Sequence, residues 1–170
     1  MKMVLYIGLV IVGLVVTAAG ALGVLGTLLP KEHTSAGSVD LSASQEQVYT
    51  LINDIGKFPE WCRDFTKMER LADTDGKETW RQIMGRNSFV SVNDEMDPPR
   101  RVKRSVIDDG KMFSGSWDHF IESTGPATCR LTITEVGEVH SAIPRAMMRY
   151  MFGEDYTIKK FLAEVKKKVG

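Results

Sequence analysis

The chain has 170 residues, 26% charged and 43% hydrophobic, with a formal net charge of zero. That length accommodates one ordinary domain plus an appendage. Of the 22 basic side chains only Lys2 precedes Leu29, so 21 basic groups face 22 acidic ones in the remainder. Such a balance excludes the electrostatic footprint of a nucleic-acid binder, and no nucleic-acid partner is expected.

The hydrophobic residues are spread unevenly. From Met3 to Leu29 there is no charged residue, and a helix of roughly 20 apolar residues crosses the hydrocarbon core of a bilayer with its backbone satisfied internally. Thr17-Ala18-Ala19-Gly20-Ala21 offers the small residues of a signal-peptide cleavage site. The apolar run continues past them through Val24, Leu25, Leu28 and Leu29, well beyond the roughly 7–15 residues of a signal core. Residues 1–29 are therefore expected to be a retained transmembrane helix and signal anchor. The α-amine and Lys2 flank one end, and Lys31, offset by Glu32, the other, with no further Lys or Arg until Lys57. This distribution leans towards a single-pass protein whose domain is extracytoplasmic.

Residues 30–37, PKEHTSAG, have no periodicity and read as a linker, with His33 inside it; the domain is expected over 38–170. Ser38–Leu41 reads as a strand. Ser44 with Gln47 forms a capping-box pattern, Ser42 with Gln45 an alternative register. Val48, Leu51, Ile52 and Ile55 then recur at helical spacing. Gly56 ends that helix, and Pro59 suits the first turn of a second, very short one.

From Phe65 to Val136 the period changes. KMERL, KETWRQIM, SFVSVNDEM, RRVKRSVI, MFSGSWDHFI and CRLTITEV are rich in β-branched or aromatic residues. Turn signals separate them at Asp73–Gly76, Gly85–Asn87, Asp97–Pro99, Asp108–Gly110 and Ser123–Pro126. Closely spaced strands with such turns make an antiparallel meander. After Gly137 a helical period returns: Ser141 is a cap, Pro144 lies in the first turn, and Met147, Met151, Ile158, Leu162, Val165 and Val169 form one apolar stripe, widened by Met148 and Phe161, with a bend at Gly153. Lys166, Lys167 and Lys168 crowd the C-terminal end, where they complement the helix dipole.

The expected fold class is α+β. A curved antiparallel sheet of about seven strands, two short helices and a long C-terminal helix gripping the concave face are preceded by one transmembrane helix.

LSASQEQVYTLINDIGKFPEW, DPPRRV, FSGSW and TGPATCRLTITEVGEV resemble the START-like or SRPBCC superfamily, which includes polyketide cyclase-like proteins and the birch-pollen-allergen group. The resemblance runs from about Ser38 to the C-terminus. It implies a helix-grip fold with a cavity between sheet and long helix that takes a lipid or other hydrophobic small molecule. It is specific for the fold and poor for activity, because the superfamily spans carriers, cyclases and dehydratases. FPEW at residues 58–61 would shape one end of the cavity, its aromatics part core and part gate. Phe58, Trp61, Trp80, Phe89, Phe113, Trp117, Met147, Met151 and Ile158 are the expected ligand-binding residues.

Chemistry is harder to place. There is no HExxH, Walker loop, GxGxxG or GxSxG, so no metal or cofactor is expected. His119 shares a strand face with Phe113, Gly115, Trp117 and Ile121 and is either an acid/base in the cavity or a histidine bonded within the wall or facing solvent. Glu135 shares parity with Leu131 and Ile133; it is either a cavity acid or a solvated strand end. Arg100, Arg101, Lys103 and Arg104 span both faces of a strand, which reads as an outer surface, solvated or meeting anionic headgroups. Cys62 and Cys129 either pair or remain free thiols. Three functions follow: a membrane-anchored, non-catalytic binding domain for a hydrophobic molecule; a cyclase or dehydratase using His119 or Glu135; or an interaction module whose cavity is filled by its own side chains.

Overall fold

The computed structural model describes residues 2–107 and 113–170, apart from the side chain of Leu5. The expected turn at Asp108–Gly110 lies outside the described residues. Helix α1 spans Lys2–Leu28. Strands β1 (Glu32–Leu41), β2 (Lys67–Arg70), β3 (Thr79–Met84), β4 (Asn87–Asp97), β5 (Arg101–Ile107), β6 (Phe113–Gly125) and β7 (Thr128–Val139) form one antiparallel sheet in the order β1-β7-β6-β5-β4-β3-β2. Helix α2 (Gln45–Asn53), a 3-10 turn (Ile55–Lys57) and α3 (Phe58–Trp61) interrupt the chain between β1 and β2. α4 (Ala142–Met147), a π-helical segment (Met148–Phe152) and α5 (Tyr156–Val169) end it.

Local chemistry explains most boundaries. Ser44 caps α2 through the full capping box: its hydroxyl accepts from the Gln47 N–H, and the Gln47 side chain accepts from the Ser44 N–H. Val48 and Ile52 are then buried on one face. Pro59 lies in the first turn of α3, where its missing N–H has no helical partner to lose.

Two expectations are corrected. The segment read as a linker forms the first half of β1, with Glu32 to Gly37 paired to Glu138 to Ile133 of β7. Its small and polar residues carry no apolar alternation, yet His33, Ser35, Gly37, Val39 and Leu41 share the inner face. The terminal helix is also not one rod. Gly153, at φ +88°, takes a backbone conformation open to few other residues and separates α5 from the π-helical segment. α5 makes the larger contact with the sheet, chiefly along β1, while α4 touches β7.

The core gathers Leu41, Val48, Ile52, Ile55, Phe58, Ile121, Leu131, Ile158, Leu162 and Val165. α5 comes close to β1 because residue 37 is glycine: a Cβ there would stand 2.9 Å from Ile158 Cγ2 and 3.2 Å from Leu162 Cδ1. At the other end of the domain α1 packs against α4. A Cβ at Gly26 would overlap the Ala142 carbonyl, at 1.9 Å, so glycine permits that contact. Both cysteines are buried free thiols, and burial pushes the Cys62 thiol up to about 11.

Candidate functional site

Between the sheet and α5 lies a cavity of about 410 Å³, walled by β6, β7, the 141–148 stretch and the inner face of α5. That is within the usual size range of small-molecule sites. Phe89, Phe113 and Trp117 form an aromatic wall, with Phe89 and Phe113 rings 5.2 Å apart and Phe113 and Trp117 rings 6.2 Å apart. Ile133, Val139, Ile158 and Phe161 complete its apolar surface.

The wall residues named from sequence divide. Phe89, Phe113, Trp117 and Ile158 stand in the cavity wall. Phe58 and Trp61 do not: they are buried in the core, their rings 5.1 Å apart edge to face and each within 6 Å of Phe161. FPEW therefore backs the wall from behind, and its expected gating half is not realised. Trp80 packs over Gly56, with the Arg70 guanidinium 5.9 Å from its ring. Met147 and Met151 also lie outside the wall, and Met151 is 63% exposed. Their helical spacing runs through Gly153, where the axis breaks; Met148 and Phe161, which widen the same stripe, do reach the cavity.

The wall carries two polar groupings. In the first, His119 is buried, and its Nδ1 lies 3.1 Å from the Val102 carbonyl, which can only accept, so Nδ1 carries the hydrogen. Burial, reinforced by the Arg104 cation, lowers its pKa to about 3. Arg104, expected on an outer surface, is instead 3% exposed and lines the cavity. It donates from Nε to Asn93 Oδ1 at 2.9 Å and from an Nη to the Ile52 carbonyl at 2.5 Å, over the Phe58 ring. Burial lowers its pKa to about 10, so it is a cation at neutral pH. Two bonds use only part of a guanidinium's five N–H groups. Parity alone hid this residue: Val102 and Arg104 share the inner face, whereas Arg101 pairs outside with Asp118 in a two-pronged contact at 2.6–3.1 Å.

The second grouping joins β1, β7 and α5. Glu135 is 8% exposed and accepts a hydrogen bond from Thr157 Oγ1 at 3.1 Å. His33 Nε2 lies 3.5 Å from the other Glu135 oxygen and has no hydrogen-bond partner at normal distance. The His33 ring sits over Gly137, where a Cβ would come within 2.6 Å of it. The pairing register brings His33 opposite Gly137 and so diagonal to Glu135. The sequence gives no sign of His33 as a wall residue, because its segment carries no strand periodicity. Among the described residues no group of three or more His, Cys, Asp or Glu side chains could hold a metal ion.

The His119 environment gives a testable pH dependence. In the unfolded chain this histidine takes a proton near its ordinary pKa of 6.5, and in the fold only near 3. Between those values the unfolded state holds the extra proton, so stability falls as the pH falls through that window. From pH 7 to about pH 5 the loss assigned to this residue is about 2 kcal/mol. Thermal melts of the wild type and His119→Gln at both pH values measure it; a pH dependence equally steep in the variant would refute the assignment.

Comparisons with known proteins agree with this architecture. The family model described as polyketide cyclase / dehydrase and lipid transport matches residues 41–157. No curated protein matches the sequence. Among solved structures, a START superfamily protein from Mycobacterium smegmatis superposes with a TM-score of 0.69 at 19% identity, over 81% of this chain and 97% of its own. The Zhui aromatase/cyclase from Streptomyces sp. R1128 gives 0.68 at 16% identity, over 81% and 93%. Norcoclaurine synthase from Thalictrum flavum gives 0.61 at 12%, over 81% and 93%. At such identities the likeness carries the fold.

Proposed function

Because the chain belongs to the polyketide cyclase / dehydrase and lipid transport family, we propose that its cavity binds a hydrophobic molecule with a polar end, taken up beside a membrane in which α1 is anchored. The observation that carries this reading is the cavity itself: an aromatic and aliphatic chamber with a buried Arg104 cation on its wall. Apolar area supplies affinity, while a carbonyl or carboxylate facing the guanidinium supplies orientation.

The surroundings support the membrane half of the proposal. α1 is long and apolar enough to cross a bilayer, a test that a signal sequence also passes. Its C-terminal end packs on α4. Ser141, Pro144 and Met148, from the stretch that includes α4, line the cavity. Next to them Ile143, Tyr150, Met151, Phe152 and Tyr156 are all exposed by 42% or more. Aromatics of this kind suit the headgroup level of a bilayer. The lysine distribution supports a domain outside the cytoplasm.

A second reading has its own support. The Thr157–Glu135–His33 arrangement sets a carboxylate and an imidazole at 3.5 Å on the cavity wall, which suits proton transfer on a bound carbonyl compound. In the binding reading Glu135→Gln leaves ligand retention unchanged, because burial of apolar area dominates affinity.

The experiment is photolabelling of the full chain in lipid nanodiscs with a diazirine-bearing fatty acid. Labelled peptides are expected from β6 around Phe113–Trp117 and from α5 around Ile158–Phe161, in wild type and Glu135→Gln alike. Label confined to α1 would sink the cavity reading. Release of the full chain from membranes by carbonate would sink the anchor.

A further inference from the structure

A second pocket, of about 320 Å³, opens where α1 meets the domain. Its walls come from Leu29 and Pro30 just past α1, from the start of β1, from β7 and from the C-terminal stretch, and its charged members are Lys31, Glu32, Arg145, Arg149 and Glu154. Arg145 is its unusual member. It is 9% exposed, its Nε is buried without a hydrogen-bond partner, and no carboxylate among the described residues pairs with its guanidinium. Two carboxylates line the pocket: Glu154 pairs with Arg149 at 3.3 Å, and Glu32 stands within 4 Å of no Arg145 nitrogen.

A buried cation without a counter-charge is costly to keep, because the water it gives up is not replaced by a partner. Arg104 meets a similar cost with Asn93 and the Ile52 carbonyl; Arg145 has no equivalent. Arg145 lines a pocket whose other charged members are Lys31, Arg149, Glu32 and Glu154, three cations against two carboxylates, one of them already paired with Arg149. A planar guanidinium with two further cations beside it matches the tetrahedral, multiply accepting geometry of a phosphoryl group.

We propose that this pocket is a phosphate site in which Arg145 makes the principal contact and Lys31 and Arg149 flank the anion. Its position indicates the source. Leu29 and Pro30 follow directly on α1, so in the anchored reading above the pocket lies at headgroup depth, where a phospholipid presents phosphate to a polybasic surface. The phosphate chemistry stands without the anchor; the lipid source rests on it.

The test uses the full chain in a non-ionic detergent with three probes: inorganic phosphate, dioctanoyl phosphatidic acid, and dioctanoylglycerol as the phosphate-free counterpart. Binding is read by calorimetry and by tryptophan fluorescence melts. Phosphatidic acid is expected to raise the melting temperature of the wild type. Its affinity should fall roughly tenfold or more in Arg145→Met and less in Arg145→Lys, which keeps a cation but not the fork. Without any probe Arg145→Met should melt no lower than wild type, because it removes an uncompensated charge. Phosphatidic acid binding more tightly than inorganic phosphate supports the lipid source, and equal affinities support a soluble phosphate compound. If neither phosphate probe binds the wild type, or both bind Arg145→Met as well as wild type, the proposal is overturned. Dioctanoylglycerol separates this result from the cavity reading: its failure to bind counts against the large cavity and leaves the phosphate arms untouched.

Discussion

Replacing Leu162 by aspartate is expected to unfold the domain. Leu162 is 6% exposed and lies between Ile158 and Val165 on the face of α5 that rests on Gly37 of β1. Truncating a buried leucine to alanine costs ~2–5 kcal/mol. A carboxylate at the same place adds the penalty of burying a charge with no partner. Together these approach the ~5–15 kcal/mol that holds a whole domain. Lys167→Asp, on the exposed side of the same helix, should change stability by less than ~1 kcal/mol. Lys160 is a poorer control than its sequence position suggests, because it pairs with Asp64 across to the α3–β2 connection. Tryptophan fluorescence melts of the full chain decide the matter. A cooperative transition of Leu162→Asp within ~1 kcal/mol of the wild type would mean that α5 does not hold the sheet.

The second large effect is expected from Ile133→Trp. Ile133 is 2% exposed, sits opposite His119 on the neighbouring strand, and forms part of the cavity wall. The indole must enter a chamber of about 410 Å³, which can take it where a packed core could not. Overpacking should therefore cost no more than ~1–3 kcal/mol, with the fold retained. Photolabelling of β6 by the fatty-acid probe should fall roughly tenfold as the space is filled. Met151→Trp is the matched control: Met151 is on the surface, so labelling should be unchanged. Undiminished labelling of β6 in Ile133→Trp would place the acyl chain somewhere other than this cavity.

These two variants also mark the limits of what could be read from the chain. The stripe of Ile158, Leu162 and Val165 was legible because helical spacing repeats over 14 residues with lysines on the opposite side. Met147 and Met151 fall at the same spacing but stand outside the cavity wall. A positive φ at Gly153 and a π-helical turn before it rotate them off the cavity, and periodicity carries no information across a change of helical pitch. Arg104 was misplaced for a related reason. Four basic residues within five positions look like a solvated strand, and only pairing of β5 between β4 and β6 decides which of them turns inward.

His33 shows the converse failure. Nothing in PKEHTSAG signals a strand, because a strand that packs under a helix needs small residues there rather than large ones; Gly37 is required by α5 and Gly137 by the His33 ring itself. The strand exists because β7 offers it a ladder of hydrogen bonds along its full length, a cause that lies about a hundred residues away in the chain.

By itself the sequence determined what local chemistry decides. The apolar run of α1, the capping box at Ser44, the six strands after Phe65 and the family-bearing stretches through FPEW and TGPATCRLTITEVGEV all depend on neighbours within a few positions, and all were legible. Which residues meet across the cavity was decided by tertiary structure alone. The contact of Glu135 with His33 and Thr157, the burial of Arg104 beside His119, and the uncompensated Arg145 beneath the end of α1 each depend on strand register and helix docking. Those are set by the packing of the whole sheet and by glycines that let backbones approach, so no local pattern encodes them.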